Sequence, residues 1–456
     1  MYKIEVTDFN NHQNKKFISV ETKPTQSELI KLTKNKHNVK SKIINLFDEN
    51  NMLYDESMFN EINDNKINLY FNTSNRISFK KFEDVSNVKD VYINIIANKS
   101  VVLDEAVKQL KNLKNLFSDL THLIGMPDLH VGKYPIGSVS ISKNTIYPEL
   151  IGSDIGCGMA LFKLSLSLDK SNDEKIKRIS KKLYLENTLP NYGEQMKQKF
   201  IKHGLEICHE DTLGTIGHGN HFVEMQEIYN IYDHELANKY ELEDDKYYLT
   251  VHSGSRDLGY NILNKYVNQE ITLDEYMEHH NYAIKWAELN RQVIAEKFVN
   301  CINEVVTCNS TKILDLFHNF FECKDDMIIH RKGAVPAYDQ PVIIPGSRGA
   351  LTYVVQPINS SIENGFSVAH GAGRSKSRTN ACECLKNKSI FDREKCMQPK
   401  NDDINNIVIC ENTDLLYEEA PFAYKDIDDV IDDLVEANLI KVIITLKPVI
   451  TYKCRN

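Results

Sequence analysis

Apolar and polar residues alternate in Tyr2-Lys3-Ile4-Glu5-Val6 and again in Ile67-Asn68-Leu69-Tyr70-Phe71, the two-residue period of a half-buried strand. Between them, Ser27 to Leu46 carries apolar positions at helical spacing: Leu29, Ile30 and Leu32, then Ile43, Ile44 and Leu46. These elements predict a small α/β module over residues 1–85 that holds no chemical motif. From about Val91 the texture changes to glycine-containing motifs separated by apolar runs, with helical periodicity over Leu103 to Leu116 and Asp274 to Val299. Tyr247 to Val251 reads as a strand, and Ile313-Leu314-Asp315-Leu316-Phe317 reads as helix-like. Strands and helices follow one another without regular alternation, and neither a repeat nor a low-complexity linker interrupts them. The expected fold is therefore α+β, one large mixed-sheet domain over residues 86–456 behind the small module.

A hydrophobic content of 41% over 456 residues is ample for a large core, and 26% charged residues fit a folded chain. Lys and Arg total 55 against 64 Asp and Glu, a formal net charge of −9, so the molecule as a whole does not attract polyanions. Contact with a nucleic acid would have to be local. The clearest local run is Arg374-Ser375-Lys376-Ser377-Arg378, a pattern that by itself is ordinarily a solvated face. Ten cysteines without regular spacing form no disulfide framework and point to a reducing compartment. Met1-Tyr2-Lys3-Ile4-Glu5 does not read as a leader, and the most apolar stretch, Leu439 to Tyr452, is broken by Lys441 and Lys447. A cytoplasmic protein with no membrane partner is expected.

Asp154-Ile155-Gly156-Cys157-Gly158 sets a carboxylate and a thiol three residues apart, among glycines that allow a tight turn. A buried structural cysteine beside a capping aspartate would read the same way. His221 follows a Gly-rich turn and enters an apolar segment, His252 follows the strand Tyr247 to Val251, and His318 with Asn319 ends the helix-like run. Each histidine alone is more often a satisfied polar residue. One carboxylate, one thiolate and three imidazoles exceed a closed four-ligand zinc site. They can hold two ions if the thiolate bridges them, which suits in-line displacement at phosphorus. A second constellation is Ser367-Val368-Ala369-His370-Gly371-Ala372-Gly373-Arg374. The neutral imidazole of His370 is a competent nucleophile towards phosphorus and small neighbours admit phosphate, although a Gly-rich surface loop fits the pattern equally. Pro345-Gly346-Ser347-Arg348-Gly349 and Arg331-Lys332-Gly333 add turns with cations, suited to an anionic ligand.

Together with Met126-Pro127-Asp128-Leu129-His130, Gly219-Asn220-His221-Phe222 and His252-Ser253-Gly254-Ser255-Arg256, these segments resemble the RtcB family of RNA ligases over roughly residues 91–456. The resemblance implies that 86–456 is a catalytic domain with Asp154, Cys157, His221, His252 and His318 as ligands of two manganese ions and His370 as the residue that becomes guanylylated. It implies a guanine-nucleotide site made by Asn220, His221, Phe222, Val223, Glu224, His318, Asn319, Pro345, Gly346, Ser347, Arg348, Thr352, His370, Gly371, Ala372 and Gly373, with Lys453 as a further contact. The implied reaction is a GTP- and manganese-dependent joining of an RNA 3′-phosphate or 2′,3′-cyclic phosphate end to a 5′-hydroxyl end, in RNA repair or tRNA splicing. A need for an activating protein partner is left open. This sequence departs from the family pattern at His218, which stands where a small residue is usual, at Arg348, which stands where Met is frequent, and at Cys454-Arg455-Asn456, which replaces a terminal Gly. A metal-dependent phosphoesterase or an inactive RNA-binding relative would keep the same ligands. A covalent GMP adduct discriminates, since neither alternative needs His370 as a nucleophile.

Overall fold

The chain divides into two compact units, Met1–Val88 and Lys89–Asn456. The computed structural model describes residues 2–8, 11–20, 26–37, 45–47 and 66–72 of the first. Of the second it describes residues 90–166, 173–185, 194–202, 204–206, 208–209, 211–217, 219–267, 272–386, 406–410 and 412–454. His218, Arg455 and Asn456, three of the departures from the family pattern, lie outside the described residues.

In the first unit, Tyr2–Asp8 pairs antiparallel with Asn11–Val20 and parallel with Lys66–Asn72, and Asn45–Phe47 adds to the far side of Lys66–Asn72. Parallel partners need a long crossover, and the helix Gln26–His37 lies within it. The alternating Ile4 and Val6 are buried, as is Leu29 of the helix. The helical pattern expected to run to Leu46 is corrected: the helix ends at His37 and Leu46 belongs to a strand, while Ile43 and Ile44 are outside the described residues. The run Lys34-Asn35-Lys36-His37 offers no apolar residue to continue the buried stripe, and its cations suit a helix C-terminus.

The second unit is α+β, as expected. Its largest sheet has the order Cys308–Phe317, Gly158–Leu166, Tyr247–Ser253, Phe222–Ile231, Ile440–Tyr452, Thr352–Pro357, Val342–Pro345, every adjacent pair antiparallel. The short strand Ile407–Ile409 joins Ile440–Tyr452 in parallel. Side chains alternate across this sheet. Ala160, Phe162 and Leu164 pack with Ile294 and Phe298 of the helix Leu273–Asn303, whereas Met159 and Leu161 pack with Tyr248, Ile343 and Ile444 on the opposite face. The helix starts at Thr272, whose hydroxyl accepts the Glu275 N–H. A second sheet orders Asn319–Lys324, Met327–Lys332, Ile136–Ser142, Leu120–His130 and Tyr92–Ile95, and Ala334–Pro336 pairs with Ser367–Ala369. Among the described residues, no helix is long and apolar enough to cross a membrane.

Ile313 to Phe317, expected as helix-like, is a strand. Its register against Gly158–Leu166 shifts between Lys312 and Leu314, a bulge that puts two apolar residues, Ile313 and Leu314, in succession. That doubling turns a two-residue alternation into the i, i+1, i+3, i+4 spacing of a helix face.

Candidate active site

Four of the five expected ligands sit at one end of four neighbouring strands. Cys157 immediately precedes Gly158–Leu166, His221 precedes Phe222–Ile231, His252 is the penultimate residue of Tyr247–Ser253, and His318 follows Cys308–Phe317. The register aligns them, with His252 opposite both Met159 and Phe222, and Phe317 opposite Gly158. Strands about 4.8 Å apart then deliver side chains at that spacing. Ring centroids of His221 and His252 are 5.0 Å apart, and those of His252 and His318 are 5.1 Å apart.

Cys157 Sγ lies 3.3 Å from His221 Nε2 and 3.4 Å from His252 Nε2, and the ligand atoms of these three buried residues fall within 4.8 Å of one another. Asp154 joins through His221, with Oδ2 to Nε2 at 3.0 Å. A Cβ on Gly254 would come within 2.3 Å of the Asp154 carboxylate, so the loop after His252 admits no side chain there. His221 Nδ1 donates to the Ile216 carbonyl at 2.9 Å, which turns Nε2 towards the cluster. Burial, then the neighbouring imidazoles, holds His252 well below the usual histidine range, and burial followed by His370 does the same to His318. Burial and the adjacent Asp154 raise the Cys157 thiol well above its ordinary value. Burial pushes Asp154 up, but the His221 hydrogen bond and charge outweigh it and leave this carboxyl low.

These groups fit a divalent metal ion. The buried His252 Nδ1 has no hydrogen-bond partner among the described residues, burial keeps the His252 and His318 imidazoles neutral, and a cation would favour the thiolate that burial disfavours.

His370 follows the strand Ser367–Ala369, and Gly333 and Ala334 on its partner side both donate N–H bonds to the His318 carbonyl. The His370 and His318 rings are thereby 4.8 Å apart. His370 Nδ1 donates to Asp128 Oδ2 at 2.5 Å, and the His370 N–H donates to the same oxygen. This bond fixes the tautomer with Nε2 as the free nitrogen. Lys425 Nζ donates to the carbonyls of Pro127 and Leu129, on either side of Asp128, and burial lowers its pKa to about 8. Gly373, at φ +68°, passes so close to Asp128 that a Cβ would be 2.3 Å from its carbonyl oxygen.

A pocket of about 480 Å³ opens beside His370, lined by Asn220, Phe222, Glu224, His252, Pro345 through Arg348, His370 through Arg378, Glu419, Tyr424, Thr451 and Lys453, among others. Strand pairing again explains the company: Glu224 lies opposite Thr451, and Tyr452 opposite Val223 puts Lys453 next to Phe222. Val223 alternates away from the pocket into the core. Thr352 is one step removed, accepting from Gln226, which also donates to Glu224. Asn319 ties loops together instead, donating to the Asp154 carbonyl and accepting the Gly333 N–H. Arg348 lines the pocket and donates to the Leu416 carbonyl. Burial raises the Glu224 carboxyl to about 7, despite hydrogen bonds from Thr451 and Gln226.

Two charged partners went unread in the sequence. Asp128 stands within the Met126 to His130 motif, and a carboxylate next to the apolar stretch Leu123 to Pro127 of the strand Leu120–His130 was the signal for it. Glu419, 1% exposed, accepts from Arg374 at 3.0 Å and Tyr424, and lies 3.5 Å from Arg378 and 3.8 Å from Lys453. Nothing in its local sequence announces that role. The cationic run is thus split: Arg374 is held by Glu419, the Glu418 carbonyl and the Tyr424 ring, while the Arg378 side chain is 52% exposed.

A family model described as tRNA-splicing ligase RtcB matches residues 109–206, 188–274 and 269–454. The RNA-splicing ligase RtcB2 of Escherichia coli strain ATCC 25922 is 35% identical over 387 residues, which are 80% of this chain and 96% of that protein. The tRNA-splicing ligase RtcB of Nanoarchaeum equitans is 28% identical, covering 77% of this chain and 92% of the relative. The RNA-splicing ligase RtcB of Escherichia coli K12 is also 28% identical, over 76% and 94%.

Proposed function

From the premise that this chain belongs to the RtcB family of ligases, we propose that it joins RNA 3′-phosphate or 2′,3′-cyclic phosphate ends to 5′-hydroxyl ends, using GTP and two manganese ions. The observation that carries this reading is the bond from His370 Nδ1 to Asp128. A metal-dependent phosphoesterase that works through metal-activated water, or a passive RNA binder, does not need a nucleophilic histidine whose second nitrogen is kept free at the pocket wall.

In this reading His370 Nε2 attacks the α-phosphorus of GTP. A phosphorus–nitrogen bond forms, the bond to the β-phosphate oxygen breaks, and pyrophosphate leaves. Asp128 stabilises the charge that develops on the ring, as an aspartate does behind any nucleophile-activating imidazole. An RNA 3′-phosphate oxygen then displaces His370 from the GMP phosphorus, forming a phosphoanhydride. The 5′-hydroxyl of the second strand attacks the RNA phosphorus, closes the phosphodiester and releases GMP. A 2′,3′-cyclic phosphate is first opened by water.

Asp154, Cys157, His221, His252 and His318 would hold the metal ions, which supply positive charge to phosphate oxygens during these displacements. In this reading Glu224 and Lys453 would contact the base, Arg348 and the Gly371 to Gly373 turn would contact the phosphates, and the half-exposed Arg378 would be open to RNA. The eight cysteines whose side chains are described are free thiols, in keeping with work in the cytoplasm. Incubation with α-labelled GTP and Mn²⁺ tests the proposal. The expected result is a covalent GMP adduct that acid releases and base does not; no adduct on protein that binds Mn²⁺ would count for the phosphoesterase reading.

A further inference from the structure

The helix Leu273–Asn303 is buried along most of its length, yet at its centre it turns two polar side chains, Asn290 and Arg291, into the protein interior with no exposed surface. We propose that Asn290 and Arg291 are positioning residues that preset the spacing of the metal ligands, an inference that rests on reading the Cys157, His221 and His252 cluster as a metal centre.

Arg291 Nη1 donates to the carbonyls of Gly156 and Ser253, both at 2.8 Å, one residue before Cys157 and one after His252. Its Nε donates to Asp315 at 2.7 Å, and its guanidinium lies 5.3 Å from the Phe317 ring, next to His318. One planar group thus touches the backbone neighbour or side-chain neighbour of three ligands. Asn290 does the same for the remaining loop. Its Oδ1 accepts from the Gly214 N–H at 2.6 Å, and its Nδ2 donates to the Thr215 carbonyl, Ser253 Oγ and the Gly254 carbonyl at 3.0–3.2 Å. Ser253 Oγ in turn donates to the Ile216 carbonyl, the group that orients His221.

An Arg–Asp pair in such a place is a poor source of stability, because desolvating two charges offsets their attraction, and apolar residues of similar volume would serve the core as well or better. The pair is explained by what only a fork of donors can do, which is to hold two carbonyls and a carboxylate at fixed separations. Without it, the turns before Cys157 and after His252 would keep the strand register and the bond from the Arg256 N–H to Asp154 Oδ1 at 3.3 Å, but no group would hold the Gly156 and Ser253 carbonyls at a fixed separation. Groups behind the ligands typically change metal affinity by about 10- to 100-fold.

The test uses the full chain, with Mn²⁺ titrated calorimetrically and Co²⁺ as a spectroscopic probe whose thiolate charge-transfer band reports the Cys157 bond. Arg291→Lys keeps a charge for Asp315 but not the fork. Arg291→Met with Asp315→Asn removes both charges and guards against misfolding. Both variants should melt within about 3 °C of wild type, bind Mn²⁺ about 10- to 100-fold more weakly, show a weakened Co²⁺ charge-transfer band, and recover ligation at saturating Mn²⁺. A double variant that melts like wild type and titrates Mn²⁺ with wild-type affinity would overturn the positioning role. If wild type itself bound no Mn²⁺, and Cys157→Ala changed nothing in the titration, the metal centre would fall and the inference with it. A merely structural role would instead lower the melting temperature and leave the affinity of the folded fraction unchanged.

Discussion

At the Cys157, His221 and His252 cluster the groups are a thiol and imidazoles beside the Asp154 carboxylate, and burial holds the His252 imidazole uncharged. Beyond His370 the pocket has the opposite character: Arg374, Arg378 and Lys453 converge there, with the buried Glu419 as their shared counter-anion. The first arrangement favours a cation and the second an anion. His370 stands at the seam, ring to ring with His318 on one side and lining the pocket on the other. The two halves also differ in construction. Ligands of the cluster are fixed by strand ends and backbone carbonyls, whereas the pocket's cations are gathered by the one carboxylate of Glu419. A substitution in the cluster should therefore act on metal and chemistry with little effect elsewhere, and one in the pocket should act on affinity, salt dependence and pH dependence.

The largest effect is expected at the seam. His370→Ala should lose the GMP adduct and reduce ligation by at least about 10⁴-fold, while Mn²⁺ titration stays as in wild type and RNA supplied with a pre-activated 3′ end is still sealed. An adduct that persists in this variant would remove the nucleophile from His370 altogether. Cys157→Ala should abolish ligation through the metal side, weakening Mn²⁺ by more than about 100-fold with the fold intact by circular dichroism. Two Mn²⁺ bound at wild-type affinity would rule out a bridging thiolate.

Asp128→Asn should keep the geometry but favour the wrong tautomer of His370, slowing adduct formation by about 10²- to 10⁴-fold without altering metal binding. Within the pocket, Arg378→Ala should lower the slope of RNA affinity against salt by about 0.7 for each phosphate of a single strand that the arginine neutralised. Arg374→Ala should act more on stability, because Glu419 then loses a bonded partner; equal salt slopes in both variants would erase the distinction drawn between them.

The smallest effect concerns Glu224, whose carboxyl burial raises from 4.5 to about 7. Between those values the folded protein holds a proton that the unfolded chain has released, so stability falls as pH rises through this window and levels off above it. Glu224→Gln should remove that decline in the ligand-free protein. Chemical denaturation at a series of pH values between 4.5 and 7 measures it, and parallel profiles for variant and wild type would contradict the burial account.

The cluster was legible in the sequence because each ligand flanks a short apolar run, and such runs are what a sheet aligns. Cys157, His221 and His252 could be proposed together without knowing the strand order, and the register then brought them together. His318 was expected at the end of a helix-like run but follows a strand, since the bulge at Ile313 imitates a helix face. Glu419 was not legible at all: its cationic partners come from two distant stretches, Arg374 with Arg378 and Lys453, and no local period encodes a charge pairing made across them. Asn290 and Arg291 were hidden differently, inside a helix whose apolar periodicity was read correctly and whose polar exceptions pass for solvent-facing positions.

The strand Ile440–Tyr452 lies between Phe222–Ile231 and Thr352–Pro357 in the sheet, although both precede it far upstream in the chain. During synthesis those two neighbours leave the ribosome with open hydrogen-bonding edges and no strand to close them. Pairings between such distant segments are slow to form, and open edges invite association with other chains while they wait. A nascent chain stopped before residue 440 would lack both the central strand and Lys453, so it would expose sticky edges without a finished pocket. Completion of the pocket thus coincides with closure of the sheet, and truncated products should report themselves by aggregation rather than by partial activity.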